Sequence, residues 1–239
     1  KYLNKFDLVI TWNRSLCDQK KIFWAGYGNS AELIDNDPIK IFSKKKKDLC
    51  IINSQKHSNN RLSLYKERES AINFFSKSDL DFDLFGYGWD RRLFKGIFRP
   101  LNKINFARDF LYRQNNSYKG IVNSKANTLS NYKYSLCFEN YSQYGYITEK
   151  IFDSIFSGCI PIYLGCPNIR SEIDPDIFVD MRDFSSYKEL YLYLKTISRN
   201  EYLSKISKII KFYNHYLNST YYDYTWANFT AKKCLSLLK

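Results

Sequence analysis

The sequence contains few glycines, prolines and methionines and no long apolar run. Its 239 residues include 9 Gly, 5 Pro and 1 Met, and no stretch approaches the roughly 18 apolar residues of a membrane-spanning helix. We therefore expect no such helix in this stretch of chain. The aromatic fraction of 18% excludes low-complexity disorder, because aromatic side chains supply the apolar area that a core requires.

The single methionine is Met181, whereas the chain begins at Lys1. A complete translation product normally retains its initiator methionine, so we expect further sequence upstream, where a signal, an anchor or another domain would lie. The residues present are enough for a sizeable core in one large or two small domains.

The cysteines and histidines form no metal-site pattern. No C-x-x-C pair occurs, Cys50 and Cys137 fall inside apolar runs, and His57 and His215 have no companion at metal-ligand spacing. The sequence therefore predicts reduced, buried thiols and no metal. The cysteines are at positions 17, 50, 137, 159, 166 and 234.

Acidic residues are scarce relative to basic ones, with 24 Asp and Glu against 37 Lys and Arg and a net charge of +13. This excess favours anionic partners such as nucleotide phosphates, acidic lipid headgroups or nucleic acid. We interpret the run Lys44–Lys47 mainly as a solvated linker, with contact to an acidic membrane surface or acceptor as the alternative. The lysines are spread along the chain without a nucleic-acid-binding motif, so we expect no nucleic-acid partner.

One stretch carries a strand, a helix and a second strand in succession. Residues 134–138 and 160–164 are apolar runs of strand length, and residues 148–157 carry apolar side chains at helical spacing behind the N-cap candidate Thr148. In a parallel β-α-β unit, the loop after the first strand lies at the carboxyl edge of the sheet, where such folds bind ligands. Here that loop is 139–147.

Strands and helices alternate along most of the chain. This alternation predicts an α/β fold with a Rossmann-like, mostly parallel sheet. The other predicted strands are 6–11, 22–27, 49–53, 83–88 and 177–180. The other predicted helices are 61–75, 105–112, 124–130, one capped by Ser186, one starting at Asn200, and 224–238. Residues 89–118 otherwise show no clear periodicity.

Lys150 lies in the first turn of the predicted central helix. Unpaired amides and the helix dipole make a helix start an anion site, so a cation there opposes the dipole. A bound phosphate would explain this lysine. For the helix taken alone, Glu149 and Lys150 are more simply interpreted as solvated residues.

Three segments around this helix resemble the donor-binding signature of the α-1,3-fucosyltransferase family: FEN at 138–140, GYITEKIF at 145–152 and PIYLG at 161–165. The resemblance implies the GT-B arrangement, in which two Rossmann-like domains face each other and this half holds the nucleotide sugar. Residues 1–47 would then be a remnant of the N-terminal, acceptor-side domain plus a linker. Residues 48–239 would be the GDP-fucose-binding domain with its C-terminal helices. The matching positions are Phe138, Glu139, Asn140, Gly145, Tyr146, Thr148, Glu149, Lys150, Ile151, Pro161, Ile162, Tyr163 and Gly165.

The resemblance also implies a reaction and roles for side chains. L-Fucose would move from GDP-fucose to a hydroxyl of a glycan such as GlcNAc or Glc, with inversion and most often an α-1,3 linkage. Arg61 and Lys150 would bind the pyrophosphate and stabilise the leaving group, since a guanidinium donates parallel charge-assisted hydrogen bonds. Glu149 would accept from the ribose hydroxyls, Tyr146 would line the donor beside the phosphates, and Asn140 would be a further polar contact.

An inverting transfer also needs a general base. The resemblance implies a glutamate in the N-terminal domain, at a position upstream of Lys1, so we assign no base here and expect weak GDP-fucose binding without transfer. Glu32 and Glu139 do not match the family's base position, and we expect Glu139 to support the loop. Without a G-x-G-x-x-G or P-loop motif, we expect no dinucleotide cofactor. No credible Asp-x-Asp loop motif precedes the donor signature, since Asp81 and Asp83 border a short apolar run, so we expect no required metal and thus no cofactor of either kind.

Three alternatives remain open at this point. They are a transferase for another nucleotide sugar, a non-catalytic nucleotide-binding relative, and a nucleic-acid-binding domain. The expected partners are GDP-fucose, an oligosaccharide or glycoconjugate acceptor and, peripherally, an acidic membrane.

The Lys, Asn and Tyr bias is typical of an AT-rich bacterial or viral genome. We therefore expect a cytoplasmic or peripheral-membrane location, or the Golgi lumen in a eukaryote.

Overall fold

A computed structural model describes residues 2, 5–110 and 115–238. Its centre is a five-stranded sheet in the order β4-β3-β5-β6-β7, and all neighbouring strands are parallel. β1 and β2 pair in a separate parallel ribbon. The strands are β1 (Val9–Thr11), β2 (Ile22–Trp24), β3 (Lys47–Ile52), β4 (Phe82–Phe85), β5 (Tyr132–Phe138), β6 (Ile160–Leu164) and β7 (Val179–Asp180).

The helices connect and flank these strands. They are α1 (Pro38–Ser43), α2 (Tyr65–Phe75), α3 (Asn105–Phe110), α4 (Lys125–Leu129), α5 (Glu149–Phe156), α6 (Ile169–Glu172), α7 (Tyr187–Thr196), α8 (Arg199–Leu217) and α9 (Asp223–Leu235). None within the described ranges is long and apolar enough to cross a membrane. The order of elements confirms the predicted α/β class.

The central strands are buried along nearly their whole length, which explains their continuous apolar runs. Helix α5 covers this sheet through Ile151, Phe152, Ile155 and Phe156, all fully buried. Tyr216 of α8 packs on the same side, with its ring centroid 5.1 Å from Phe152 and 4.6 Å from Phe156. The aromatic residues of α5 and α8 are therefore core, as the sequence predicts.

One predicted helix start is wrong. Helix α2 begins at Tyr65 rather than at residue 61, because the Asn60 side chain accepts from the Leu62 amide at 2.9 Å and holds a turn there. Helix α8 begins at Arg199, one residue before the predicted start, where Ser198 and Glu201 form a capping box. The last part of the predicted helix 105–112 lies outside the described residues, and the short helices α1 and α6 were not predicted.

The N-terminal segment packs against the C-terminal helices. The Tyr216 hydroxyl donates to the Asn29 carbonyl at 2.7 Å, and the Asp223 amide donates to the same oxygen at 3.0 Å. Arg14 forms a two-pronged ion pair with Glu172, at 3.0 and 2.9 Å. The proposed division at residues 47 and 48 stays a prediction.

Gly86, which follows β4, occupies a position that only glycine fits. Its φ is +126°, and an added Cβ would lie 2.0 Å from the Asn53 carbonyl oxygen. Gly120 is a matched control, since its φ is +92° but a Cβ there would meet nothing within 4 Å. We expect Gly86→Ala to lower the free energy of unfolding by about 2 kcal/mol more than Gly120→Ala, as measured by urea denaturation. Equal losses would contradict the contact with Asn53.

Candidate functional site

A cavity of about 380 Å³ opens where β3 and β5 end. The chain runs from β3 to β4 on one side and then returns to place β5 on the other side of β3. Such a reversal leaves a crevice at the carboxyl edge of the sheet, which is where open α/β folds bind ligands. The polar and charged lining residues are Asn53, Ser54, Lys56, Arg68, Lys125, Ser135, Asn140, Glu149, Lys150 and Asp153.

Cations outnumber carboxylates in this cavity, which we name the donor cavity because the family resemblance implies a nucleotide-sugar donor here. Lys56, Arg68, Lys125 and Lys150 line it, against the carboxylates of Glu149 and Asp153. An excess of positive charge in a concave site with restricted solvent attracts anions more strongly than the same charges on an open surface. The cavity is therefore suited to a phosphate-bearing ligand.

Lys150 donates to three acceptors. Its Nζ lies 2.7 Å from Thr148 Oγ1, 3.1 Å from Glu139 Oε2 and 3.3 Å from Glu149 Oε1. Burial by itself lowers the pKa of this ammonium, but the charges of Glu139 and Glu149 outweigh burial and raise the pKa above its ordinary value. Lys150 is thus a fixed, permanently charged cation at the cavity wall.

Glu139 anchors the start of α5. Its carboxylate is fully buried and accepts from the Thr148 amide at 2.8 Å and from the Thr148 hydroxyl at 2.8 Å. Thr148 occupies the N-cap position, as predicted, but its side chain caps no helical amide because its hydroxyl bonds to Glu139 instead. The predicted supporting role of Glu139 agrees with these contacts.

Arg68 is the most buried of the charged cavity residues that the sequence analysis missed, which also include Lys56, Lys125 and Asp153. Only 3% of it is exposed, and it projects from α2 towards the end of β5. Its Nε and Nη2 donate to the Phe138 carbonyl at 3.0 and 2.6 Å, and Nη2 also donates to Asn140 Oδ1 at 2.9 Å. Burial lowers the pKa of its guanidinium. The available signal was its place on the apolar face of α2, between Tyr65 and Ile72.

The structure brings some predicted site residues together and not others. Asn140, Glu149 and Lys150 line the donor cavity. Burial by itself raises the pKa of the Glu149 carboxyl, but the positive charge of Lys150 is the largest of the effects that together lower this pKa below its ordinary value. Arg61 lies in the turn before α2, since the helix begins only at Tyr65, and its side chain is exposed. It is not among the residues that line the cavity. Its contact with a donor stays a prediction.

Tyr146 also lies outside the cavity lining. Its ring packs in an aromatic cluster with centroids 5.4 Å from Trp12, 5.7 Å from Tyr27 and 6.5 Å from Tyr141. Gly145, with φ of +74°, turns the chain immediately before it and lies against the Trp12 carbonyl. Tyr146 therefore joins the donor loop to the N-terminal segment, and its contact with a donor stays a prediction.

The lysine run 44–47 is more structured than a solvated linker. Lys44 pairs with Asp35, Lys47 pairs with Asp81 and Asp83, and Lys45 donates to the carbonyls of Ser130 and Ser157. Burial lowers the pKa of Lys45 to about 8. Three of the four lysines thus have defined hydrogen-bonding or ion-pair partners. The cysteines at 50, 137, 159 and 166 are buried, as predicted, whereas the prediction of burial is wrong for Cys17, which is half-buried, and for Cys234, which is exposed.

The family model described as glycosyltransferase family 10 (fucosyltransferase) C-term matches residues 42–205. The α-(1,3)-fucosyltransferase FucT of Helicobacter pylori is 39% identical over 121 residues, covering 49% of this chain and 24% of that protein. The α-(1,4)-fucosyltransferase of Arabidopsis thaliana is 38% identical over 69 residues, covering 29% of this chain and 17% of that protein. The matched segments thus span about a quarter or less of these relatives.

Solved structures share the fold over most of the chain. An α-1,3-fucosyltransferase crystallised with GDP aligns with a TM-score of 0.56 and 20% identity, covering 92% of this chain and 73% of that one. Anabaena HepE, in complex with UDP and glucose, aligns with a TM-score of 0.60 and 11% identity, covering 98% and 64%. At these identities the likeness establishes the fold alone, which is that of GT-B glycosyltransferases. With residues 42–205 matched to the family model, the chain belongs to glycosyltransferase family 10, the fucosyltransferases.

Proposed function

We propose that this chain forms the donor-binding half of an inverting fucosyltransferase that moves L-fucose from GDP-fucose to a hydroxyl of a glycan acceptor in α-1,3 linkage. The observation that carries the proposal is the grouping of Asn140, Glu149, Lys150 and Arg68 around one cationic cavity in a chain of this family. The H. pylori relative is named as an α-(1,3)-fucosyltransferase, and a structural relative was crystallised with GDP, which supports the linkage and the nucleotide.

The diphosphate is proposed to lie against Lys150 and Arg68. When the bond between the anomeric carbon and the diphosphate breaks, negative charge grows on GDP, and a cation that is already fixed stabilises this charge without reorganising. Glu139 and Thr148 fix the ammonium of Lys150 in this way. The two residues thus favour departure of the leaving group.

Binding of the donor is proposed to exchange the partners of Lys150. Its contact with Glu149, at 3.3 Å, is the longest of its three. A phosphate oxygen that takes this place frees the Glu149 carboxylate to accept from the ribose hydroxyls. This one exchange would therefore give both the diphosphate and the ribose of the nucleotide a hydrogen-bonding partner.

Asp153 is proposed to read the guanine base. It lines the same cavity one helical turn after Glu149, and Lys125 pairs with it at 2.8 Å. A carboxylate accepts two hydrogen bonds from the N1–H and N2–H₂ groups of guanine, whereas adenine and uracil do not present this pair of donors. This chemistry favours GDP over UDP and ADP.

The acceptor hydroxyl attacks the anomeric carbon as the bond to GDP breaks, and its proton passes to a general base. We assign no base among the residues described. A donor with another hexose is the second candidate function, because none of the contacts above reads the sugar. The HepE structure, which contains UDP and glucose on the same fold, shows that the architecture also occurs with other nucleotides.

Calorimetric titration of the whole chain with GDP, GDP-fucose, GDP-mannose, UDP and inosine diphosphate tests the proposal. We expect GDP and GDP-fucose to bind, and UDP and inosine diphosphate to bind about tenfold more weakly, since inosine lacks the N2 amine. GDP-fucose should bind more tightly than GDP-mannose. A preference for UDP would refute the guanine assignment, and a preference for GDP-mannose would refute the sugar.

The variant Asp153→Ala tests, by the same titration, whether Asp153 recognises the guanine base. It should bind GDP about tenfold more weakly and lose the difference between GDP and inosine diphosphate. Asp79→Ala is the control, because Asp79 also loses an ion pair with a lysine, Lys195 at 2.9 Å, but does not line the cavity. If the GDP preference persists in Asp153→Ala, another residue reads the base.

A further inference from the structure

A short surface segment after β4 exposes several large apolar side chains together. Ile97 is 87% exposed, Phe98 58%, Ile104 50% and Phe106 77%. Single exposed apolar residues are normal on a protein surface, but four within ten consecutive residues form a local cluster. A cluster of this kind is typical of an interaction site.

The same segment is strongly basic. Residues 91–108 contain six Arg and Lys and no Asp or Glu. Arg91 pairs with Asp90 and Lys95 with Glu69, whereas Arg99 and Lys103 form no ion pair with any residue in the described ranges. Cations and exposed apolar residues therefore alternate along one short stretch.

The segment has a defined conformation. A 3₁₀ helix spans Gly96–Lys103 and leads into α3. The Asn102 side chain accepts from the Phe94 amide at 2.9 Å and donates to the Phe94 carbonyl at 2.9 Å. The Arg92 amide donates to the Arg108 carbonyl at 3.0 Å, which joins the two ends of the segment. These bonds fix the backbone of the segment that carries the exposed apolar side chains.

We propose that residues 91–108 dock this protein onto a bilayer surface that contains anionic lipid. Aromatic and aliphatic side chains partition into the interfacial region of a bilayer, and arginine and lysine meet the lipid phosphates. The occupant is a lipid surface because Arg99 and Lys103, which form no ion pair within the described ranges, complement negative headgroups beside the exposed Ile97 and Phe98. A fluid interface also accepts apolar side chains without a shaped groove. None of these residues lines the donor cavity, so docking leaves nucleotide binding free.

Flotation with vesicles tests the proposal on the whole chain. We expect binding to phosphatidylcholine vesicles containing phosphatidylglycerol to be about tenfold stronger than to pure phosphatidylcholine, and to weaken at high salt. The variants Ile97→Ser with Phe98→Ser, and Arg99→Glu with Lys103→Glu, should each lower binding about tenfold. The matched control is Leu192→Ser with Lys211→Glu, two exposed positions on α7 and α8, which should bind as the unchanged protein does.

Further measurements distinguish a loss of membrane docking from a loss of folding, and a lipid partner from another polyanion. Each variant should keep its circular dichroism spectrum and its GDP affinity, so that a loss of flotation reports on docking alone. Failure of the unchanged protein to float with anionic vesicles would overturn the proposal. So would a loss confined to Arg99→Glu with Lys103→Glu, since charge alone would then carry binding, as expected for an acidic protein or another polyanion. Equal losses in the control pair would also overturn it.

Discussion

Replacing Lys150 with methionine is expected to weaken GDP binding about 100-fold. Methionine keeps the apolar stem but removes the ammonium, and charge-assisted hydrogen bonds to a diphosphate in a site with restricted solvent are worth about 3 kcal/mol. Calorimetric titration with GDP measures the loss. Lys66→Met is the control, because Lys66 is exposed on α2 outside the cavity lining, and it should leave the affinity unchanged.

Loss of Lys150 also removes a partner from the buried Glu139, so folding and binding need to be separated. Adding Glu139→Gln to Lys150→Met neutralises that carboxylate and keeps an oxygen for the Thr148 amide. We expect the double variant to recover the free energy of unfolding lost by Lys150→Met but not the GDP affinity. A GDP affinity within about twofold of the unchanged protein in Lys150→Met would refute the assignment.

Lys150 and Glu149 are two cavity residues whose shifted pKa values link the stability of the protein to pH. The raised pKa of Lys150 means that its contribution to stability is complete below the unfolded value of 10.5 and is lost as pH rises through the folded pKa. The lowered pKa of Glu149 means that its contribution is present above the unfolded value of 4.5 and is lost as pH falls through the folded pKa. These two groups should therefore add no pH dependence to GDP binding near neutral pH.

Replacing Arg68 with methionine is expected to lower the free energy of unfolding by about 3 kcal/mol and to weaken GDP binding at least tenfold. The buried Phe138 carbonyl and the partly buried Asn140 amide oxygen lose their donor, and an unsatisfied buried acceptor costs about 1 to 3 kcal/mol. Asn140 would also lose its fixed orientation at the cavity. Urea denaturation and GDP titration measure the two effects.

Arg68→Lys and Arg61→Met make the test specific. Lysine keeps the positive charge but cannot hold both acceptors with a planar fork, so we expect it to restore GDP affinity only in part. Arg61→Met should leave the free energy of unfolding unchanged, because Arg61 is exposed. If Arg61→Met weakens GDP binding more than Arg68→Met does, the donor-bound protein uses the arginine that the family resemblance implies.

The central β-α-β unit could be predicted because strands that are buried on both faces have uninterrupted apolar sequences. β5 and β6 read as uninterrupted apolar runs, and the apolar residues of α5 recur at helical spacing. The start of α2 could not be placed, since one local hydrogen bond at Asn60 decides it. Residues 96–103 form a 3₁₀ helix, for which a search at the α-helical period gives no signal.

The residues that line the candidate cavity were predicted only in part, because some of them are contiguous in sequence and others are not. Positions in a contiguous motif, such as Glu149 and Lys150, are visible in the sequence together. Arg68 lies 70 residues from the carbonyl of Phe138 along the chain, and only the pairing of β3 with β5 brings α2 to that strand end. The pairing of distant segments is a tertiary property that local patterns do not specify.

The three acceptors around Lys150 set a threshold for which anions can bind at this ammonium. Each proton of the ammonium already faces an oxygen, so an incoming ion must compete with a carboxylate for its place. Chloride carries a single charge and replaces a carboxylate poorly as a partner of an ammonium that already has three oxygens around it. We therefore expect chloride at about 0.1 M to change GDP affinity at this cation only weakly.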